Sequence, residues 1–278
     1  MVTVPLIADA VGAAIAECAV TLRPDVLAAL REAVLSEDSP RGREVLELLV
    51  DNAEIARRDG VPLCQDTGTV WVWVELGADE CPGGDLQAAV DERVRSVYRD
   101  RALRMSVVRD ALTDRQNTGD NTPAFLDVTL RPGRGATVHV MLKGGGSDNA
   151  SALAMLDPAA GPEGVRQFVL ETVRAKGASA CPPLVVGVGV GGTFDSVAKL
   201  AKRALLASLG EPSDAGVSEL ESRLLADINA TGIGPGGLGG TTTALGVRVL
   251  TAPCHIAALP VAVNLGCCAV RSATIEVA

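Results

Sequence analysis

The segment PLVVGVGVGGTFDSVAKLAKRALLASLG, residues 183–210, contains a complete strand-to-helix unit. Its first eight residues form a short, continuous apolar run that is typical of a buried strand. After a glycine-rich turn, apolar residues recur at helical spacing as far as Gly210, which is a plausible helix stop. A buried strand followed by an amphipathic helix indicates that α and β structure alternate here.

The rest of the chain repeats this mixture of patterns. Residues 1–60 have apolar residues at helical spacing, as in GREVLELLVDNAEIARRDG, and predict a helical lead-in. TVWVWVEL, residues 69–76, alternates as a strand does, and residues 86–103 have a helical pattern. Further on we predict the strands AFLDVTLRP and ATVHVMLK joined by the turn PGRG, helices from about residue 150 and over residues 164–176, 195–210 and 217–230, and strands over residues 242–250 and 258–264.

These elements predict a mixed α/β (α+β) fold, in which the helical lead-in precedes β-sheets that are covered by helices. We expect one compact domain over residues 1–278, because no internal repeat, low-complexity tract or linker interrupts the sequence. A chain of 278 residues with 47% hydrophobic residues can bury a sizeable core.

Composition excludes several classes of partner. The net charge of −9 and the lack of a Lys/Arg-rich run argue against a nucleic-acid surface, and Gly or Pro breaks the apolar stretches before a bilayer-spanning length. The N-terminus lacks the basic region of a signal peptide. Seven cysteines without a short-range framework suit a reducing compartment. We therefore predict a cytoplasmic protein without nucleic-acid or membrane partners.

Three widely separated cysteines lie in stiff, Gly/Pro-rich settings: Cys64 in PLCQDTGT, Cys181 in SACPPLVVGVG and Cys267 in PVAVNLGCC. Three thiolates can hold a four-iron cluster and leave one iron open to a substrate oxygen. Spacing alone leaves buried thiols, a zinc site and an iron-sulfur cluster as alternatives. Cys18 within a helix and Cys81 after an acidic turn fit ordinary thiols.

Two glycine-rich segments could bind an anion. GVGVGG, residues 187–192, fits the dinucleotide pattern GxGxxG, but no second strand with an acidic end follows, so packing of a helix against a sheet explains it better. KGGGSDN, residues 143–149, follows a strand and is either an anion-binding turn or a flexible one.

Among the charged residues, Arg101 and Arg104 could each bind a carboxylate. His139 alternates with valines on a strand and has the pattern of a structural residue. His255 lies in a Pro-bounded turn just ahead of the strand that leads to Cys267, so the fold could carry it close to a cluster and to a bound acid.

Seven motifs between about Val61 and Arg271 carry a resemblance to a known family. They are CQDTGT, LRMSVV, DRQNTGDNTPA, KGGGSDN, CPPLVVGVGVGGT, INATGIGPGGLGGTTTAL and HIAALPVAVNLGC. In these motifs the chain resembles the α subunit, or N-terminal catalytic region, of the class I iron-sulfur fumarases and L-tartrate dehydratases.

The resemblance implies a role for each matching residue. Three residues would ligate a 4Fe-4S cluster: Cys64, Cys181 and Cys267. Three would bind substrate: Gln65, Arg104 and the backbone at Gly145. Two would be catalytic, in proton transfer or in orienting the hydroxyl: Asp66 and His255. The family usually has His after the last ligand, where this chain has Cys268, but the register from His255 through Pro260 favours Cys267 as the ligand.

The function implied is reversible hydration of a dicarboxylic acid, with fumarate and (S)-malate as the leading pair. L(+)-tartrate dehydration to oxaloacetate, or a related hydro-lyase reaction, is the alternative. A separate β subunit would complete the active site in an α2β2-type heteromer. A non-enzymatic iron-sulfur or thiol sensor is a second class, although the presence of Asp66, Arg104 and His255 argues against it. A nicotinamide-dependent oxidoreductase that uses residues 187–192 is a third.

Overall fold

The computed structural model describes residues 1–278 and confirms the mixed α/β class, with helices and two four-stranded sheets. The helices are α1 (Val4–Val20), α2 (Pro24–Ser36), α3 (Pro40–Asp59), α4 (Leu86–Asp100), α5 (Gly145–Asn149), α6 (Gly161–Lys176), α7 (Ser196–Ala204) and α8 (Ala215–Asn229). The strands are β1 (Thr69–Gly77), β2 (Phe125–Arg131), β3 (Ala136–Lys143), β4 (Ala152–Leu156), β5 (Leu184–Gly192), β6 (Ala244–Cys254), β7 (Leu259–Gly266) and β8 (Arg271–Val277).

The chain forms two compact units, each assembled from separate segments. Unit 1 comprises Met1–Arg23, Ala53–Gly145 and Arg271–Ala278, and unit 2 comprises Pro24–Asn52 and Gly146–Val270. Each unit contains one of the two sheets. The organisation of residues 1–278 as one domain stays a prediction.

The predicted helical lead-in is present as α1, α2 and α3. By length and composition alone, Val4–Ser36 could cross a membrane, but half of its most apolar window is buried inside the protein. Ile7, Val11 and Ile15 of α1 belong to the hydrophobic core of unit 1. The core helix of a soluble protein passes the same test, so this stretch is weak evidence for a membrane span.

The sheet of unit 1 has the strand order β2-β1-β3-β8. Strand β1 pairs in parallel with β2 and antiparallel with β3, so the two strands joined by the turn PGRG are not neighbours. The turn instead passes over the end of β1, where Gly77 N–H donates to the Gly135 carbonyl at 2.8 Å. Alternate valines of β1, such as Val70 and Val72, lie in the core.

The sheet of unit 2 has the order β4-β7-β5-β6. Its central strand β5 lies so close to α7 that a Cβ at Gly187 would stand 2.3 Å from the Ala201 carbonyl oxygen. Gly187 and Gly189 of GVGVGG thus allow α7 to pack against the sheet, which is the interpretation that the sequence favoured. The helix predicted from about residue 150 is wrong there, because Ala152–Leu156 forms β4. This segment has good helix formers, but pairing with β7 overrides local propensity.

The two sheets share one topology, which the sequence did not predict. In each, a central strand is followed by a helical crossover, a parallel edge strand, a four-residue turn and a third strand antiparallel to the first. Unit 1 uses β1, α4, β2 and β3, and unit 2 uses β5, α7, α8, β6 and β7. A fourth strand pairs antiparallel with the third, β8 in unit 1 and β4 in unit 2. The two sheets therefore repeat one topology although the sequence shows no internal repeat.

Glu37, at the end of α2 in unit 2, is a fully buried carboxylate. It accepts hydrogen bonds from the backbone N–H groups of Ser39 (2.9 Å), Thr241 (2.8 Å) and Thr242 (2.8 Å). Burial alone would raise the pKa of Glu37, but these hydrogen bonds outweigh it and hold the pKa at about 2. Glu37 thus fixes the GGTTT loop to the end of α2.

We expect Glu37→Gln to lower the free energy of unfolding at pH 7 by about 1.5–3 kcal/mol, because hydrogen bonds to a charged acceptor are lost. The folded-state pKa lies below the ordinary value of 4.5, so this stabilisation is complete above pH 4.5 and disappears as the pH falls towards 2. Urea unfolding of wild type and variant over this pH range measures it. Glu32→Gln, at an exposed position on the same helix, is the control, and equal stability of the two variants would contradict the assignment.

Candidate functional site

In unit 1, Asp66 joins the CQDTGT segment to the KGGGS segment. Its Oδ1 accepts a hydrogen bond from Gly68 N–H at 3.0 Å, and its Oδ2 accepts one from Gly145 N–H at 2.9 Å. The first segment leads into β1 and the second follows β3, and these strands are antiparallel neighbours. Both segments therefore lie at the same end of the sheet, with the Asp66 carboxylate between them.

The turn after Asp66 is held by side chains from two other segments. The Tyr98 hydroxyl on α4 lies 3.1 Å from the Thr67 carbonyl and 3.0 Å from the Gly68 carbonyl, and Asn121 donates to the Gly68 carbonyl at 3.1 Å. Burial raises the pKa of Tyr98, which keeps its hydroxyl a neutral donor. Asn121 belongs to the NTGDNTP loop, whose density of turn-forming residues gave no indication of this role.

The backbone of Arg104 is hydrogen-bonded to the same turn, because the Thr67 hydroxyl donates to the Arg104 carbonyl at 2.5 Å. The side chains of Arg104 and Gln65 are exposed, whereas Cys64 and Asp66 are half-buried. Unit 1 thus brings together four residues expected to bind or convert substrate, Gln65, Asp66, Arg104 and Gly145, beside the thiol of Cys64.

In unit 2, two predicted ligand segments meet at one end of the sheet. Cys181 precedes β5 and Cys267 follows the antiparallel strand β7. The N–H of Cys268 donates to the Cys181 carbonyl at 3.0 Å, which fixes the two backbones together. Cys181 has a left-handed backbone with φ of 56°, which is uncommon for a non-glycine residue and indicates a constrained loop.

His255 lies at the opposite end of the same sheet. It occupies the turn between β6 and β7, is exposed, and accepts a hydrogen bond at Nδ1 from Ala257 N–H at 3.1 Å. Strand β7 is extended, so the seven steps from its first to its last residue span about 23 Å at 3.3 Å per residue, and His255 and Cys267 lie beyond its opposite ends. Within unit 2, the expected proximity of His255 to the third cysteine is therefore not found.

A buried polar cluster that the sequence did not predict supports the same end of unit 2. Lys202 on α7 lies 3.1 Å from the carboxylate of Asp148 on α5, and Asn264 on β7 donates to that carboxylate at 3.2 Å. Burial lowers the pKa of Lys202, and the charge of Asp148 opposes this shift. The cluster links the KGGGSDN segment to β7, which ends just before Cys267.

Comparison with known proteins identifies the family. The family described as fumarate hydratase (Fumerase) matches residues 8–276. The chain belongs to this family. This confirms the predicted resemblance and the predicted enzyme class, a hydro-lyase.

Curated relatives extend over nearly the whole chain. A putative L(+)-tartrate dehydratase subunit alpha from Methanocaldococcus jannaschii is 39% identical over 275 residues, which cover 96% of this chain and 96% of the relative. The L(+)-tartrate dehydratase subunit alpha of Escherichia coli strain K12 is 32% identical over 256 residues, covering 91% of this chain and 84% of the relative. Both relatives support the family assignment.

The cysteines differ in how well they suit the iron-sulfur cluster that the family implies. Neither unit by itself gathers three His, Cys, Asp or Glu side chains in a group that could hold a metal ion. Cys64, Cys181 and Cys267 are accessible thiols on irregular backbone next to strand ends, which suits thiolate ligands. Cys18 is buried within α1, and burial raises the pKa of its thiol to about 12, so it is a poor ligand. The donor chemistry of the first three cysteines fits the cluster.

Proposed function

We propose that this hydro-lyase is the α subunit of a 4Fe-4S enzyme that reversibly hydrates a small dicarboxylic acid, with fumarate and (S)-malate as the leading pair. The observation that carries the proposal is the Asp66 carboxylate, which joins CQDTGT to KGGGS in a chain of the fumarate hydratase family. A carboxylate, an exposed guanidinium and a glycine turn beside a thiol are the groups that such a reaction needs.

Cys64, Cys181 and Cys267 would hold the cluster. When bound, a cluster with three thiolate ligands supplies a Lewis acid for the leaving hydroxyl. The pairing of the Cys181 and Cys268 backbones supports this set, because it keeps the second and third ligand segments adjacent in unit 2.

The other residues would bind the acid and move its proton. Arg104 has an exposed guanidinium, which can bind a carboxylate through two hydrogen bonds, and the exposed backbone at Gly145 lies at the same end of the sheet. Exposed Gln65 can hydrogen-bond the substrate. Each Asp66 oxygen accepts one backbone hydrogen bond and keeps a second lone pair for a substrate hydroxyl or proton.

His255 is the second candidate for proton transfer. Its Nδ1 accepts a hydrogen bond from Ala257, which assigns the ring proton of the neutral imidazole to Nε2. This exposed Nε2–H can donate to a carboxylate or hydroxyl. The distance along β7 means that His255 cannot act next to Cys267 of the same unit without a large rearrangement.

L(+)-tartrate dehydration is the second candidate reaction, because the relatives described above carry the name of that activity. Their printed names also include "subunit alpha", which supports a separate β subunit for this chain. We propose an α2β2-type heteromer, and a cytoplasmic location that keeps its seven cysteines reduced.

The substrate assignment is tested with the chain and its β subunit, produced together and loaded with iron and sulfide without oxygen. We expect turnover of fumarate and (S)-malate to exceed that of either tartrate enantiomer by at least about 10-fold, since one misplaced hydroxyl in a built polar site costs 1–3 kcal/mol. Preference for L(+)-tartrate would select the second candidate. Turnover of none of these acids would overturn the proposed substrate class.

A further inference from the structure

Arg271, the first residue of β8, carries a buried guanidinium that lacks hydrogen bonds. It is 2% exposed and is among the largest fully buried side chains of the protein. Neither its Nε nor its Nη1 has a hydrogen-bond partner, and no ion pair joins it to a carboxylate. Arg248 of unit 2 also has an Nε without a partner, but its Nη1 lies 3.4 Å from the Glu221 carboxylate. Buried cations are normally paired, so Arg271 is an exception that points to an anionic ligand.

The position of Arg271 relates it to the glycine turn of unit 1. Arg271 pairs with Leu142 of β3, two residues before Gly144. A Cβ at Gly144 would stand 3.7 Å from Arg271 Nη2 and 3.2 Å from Asp66 Oδ2. The guanidinium and the Asp66 carboxylate therefore flank the same glycine, but no hydrogen bond joins them.

The charge of Arg271 also acts on the turn that Asp66 begins. Burial raises the pKa of Tyr98, and the positive charge of Arg271 is the largest influence that opposes this rise. The Tyr98 hydroxyl lies on the carbonyls of Thr67 and Gly68, so the charge of Arg271 acts on the group that holds this turn. Unit 1 thus contains a buried cation, Arg271, in addition to the exposed Arg104.

We propose that Arg271 is a carboxylate-binding residue, which takes one carboxylate of a dicarboxylic acid at the Gly144 turn while Arg104 takes the other. This inference rests on the proposed function. The planar guanidinium matches a carboxylate better than an ammonium does, and Nη2 is the atom that faces the turn. With glycine at position 144, no side chain stands between the Asp66 carboxylate and the Arg271 guanidinium.

The test uses the anaerobically loaded complex of this chain with its β subunit. Calorimetry measures the Kd of succinate, a dicarboxylate without a hydroxyl, and steady-state assays measure KM and kcat with (S)-malate. We expect Arg271→Lys and Arg271→Gln to raise Kd and KM by about 10- to 100-fold, as for lost hydrogen bonds to a charged group. Arg134→Gln, at an exposed position of the PGRG turn in unit 1, should leave both within about twofold.

A purely structural Arg271 would lower thermal stability without changing the Kd of succinate in the folded variants, and this result would overturn the inference. If the variants do not fold, the wild-type complex still tests the inference. Succinate should then raise the Tm of the complex by more than sodium chloride does at the same ionic strength. Absence of that specific rise would overturn the inference too. A wild-type complex that turns over no dicarboxylic acid would instead refute the proposed function, whatever Arg271 does.

Discussion

Serine in place of Cys64, Cys181 or Cys267 is expected to abolish both the visible absorbance of the cluster and the hydro-lyase activity. Each replacement removes one of the three thiolates that we propose as cluster ligands. The serine hydroxyl is a poor ligand for the iron of an iron-sulfur cluster. Absorbance, iron and sulfide content per chain and turnover are measured after anaerobic loading.

Two other cysteines provide matched controls. Cys18→Ala and Cys81→Ser should keep the cluster, because Cys18 is buried in the core of unit 1 and Cys81 is exposed after β1. Loss of cluster from either control, with retention in Cys64→Ser, would contradict the ligand set.

The third ligand has a neighbour that could replace it. Cys267 and Cys268 are both half-buried, and the backbone of Cys268 is tied to Cys181. We expect Cys268→Ser to retain the cluster and Cys267→Ser to lose it. The reverse result would show that Cys268 is the ligand.

Elements with a strong local pattern could be predicted from the sequence. The alternation of TVWVWVEL predicted β1, and Val70, Val72 and Val74 indeed face the core. The apolar run at residues 183–190 predicted β5, and the helical spacing of the lead-in predicted α1 to α3. In these segments burial and local propensity favour the same structure.

Features that depend on distant partners could not be predicted. β4 has the composition of a helix and becomes a strand only because β7 pairs with it. The turn PGRG has the local chemistry of a hairpin, yet β1 lies between the strands that it joins. The repeated topology of the two sheets also lacks a sequence signal, since strand order is set by contacts far apart in the chain.

In the candidate site too, local motifs could be predicted from the sequence and contacts between distant segments could not. The motifs predicted which residues bind or convert substrate. The hydrogen bonds of Asp66 with Gly68 and Gly145 became visible only in the structure. Lys202 and Arg271 look like ordinary solvated cations in the sequence, and their burial is visible only in the structure. For His255, a continuous strand to Cys267 suggested proximity, whereas an extended strand separates its two ends.

We propose that this chain encodes only part of a hydro-lyase active site. Unit 1 offers Asp66, Arg104 and the glycine turn, and unit 2 offers two ligand segments, while the names of the relatives indicate a second subunit. Loss of a single acid, base or charge-stabilising group typically lowers turnover by 10²–10⁴-fold. A chain that lacks the β subunit should lose at least that much.

The most direct measurement is therefore the turnover of fumarate and (S)-malate by the cluster-loaded chain, alone and after addition of its β subunit. Equal iron and sulfide content in the two samples controls for cluster loss. We expect the chain alone to be at least about 100-fold slower than the complex. Turnover by the chain alone that matches the complex would contradict the claim that the active site is shared between two subunits.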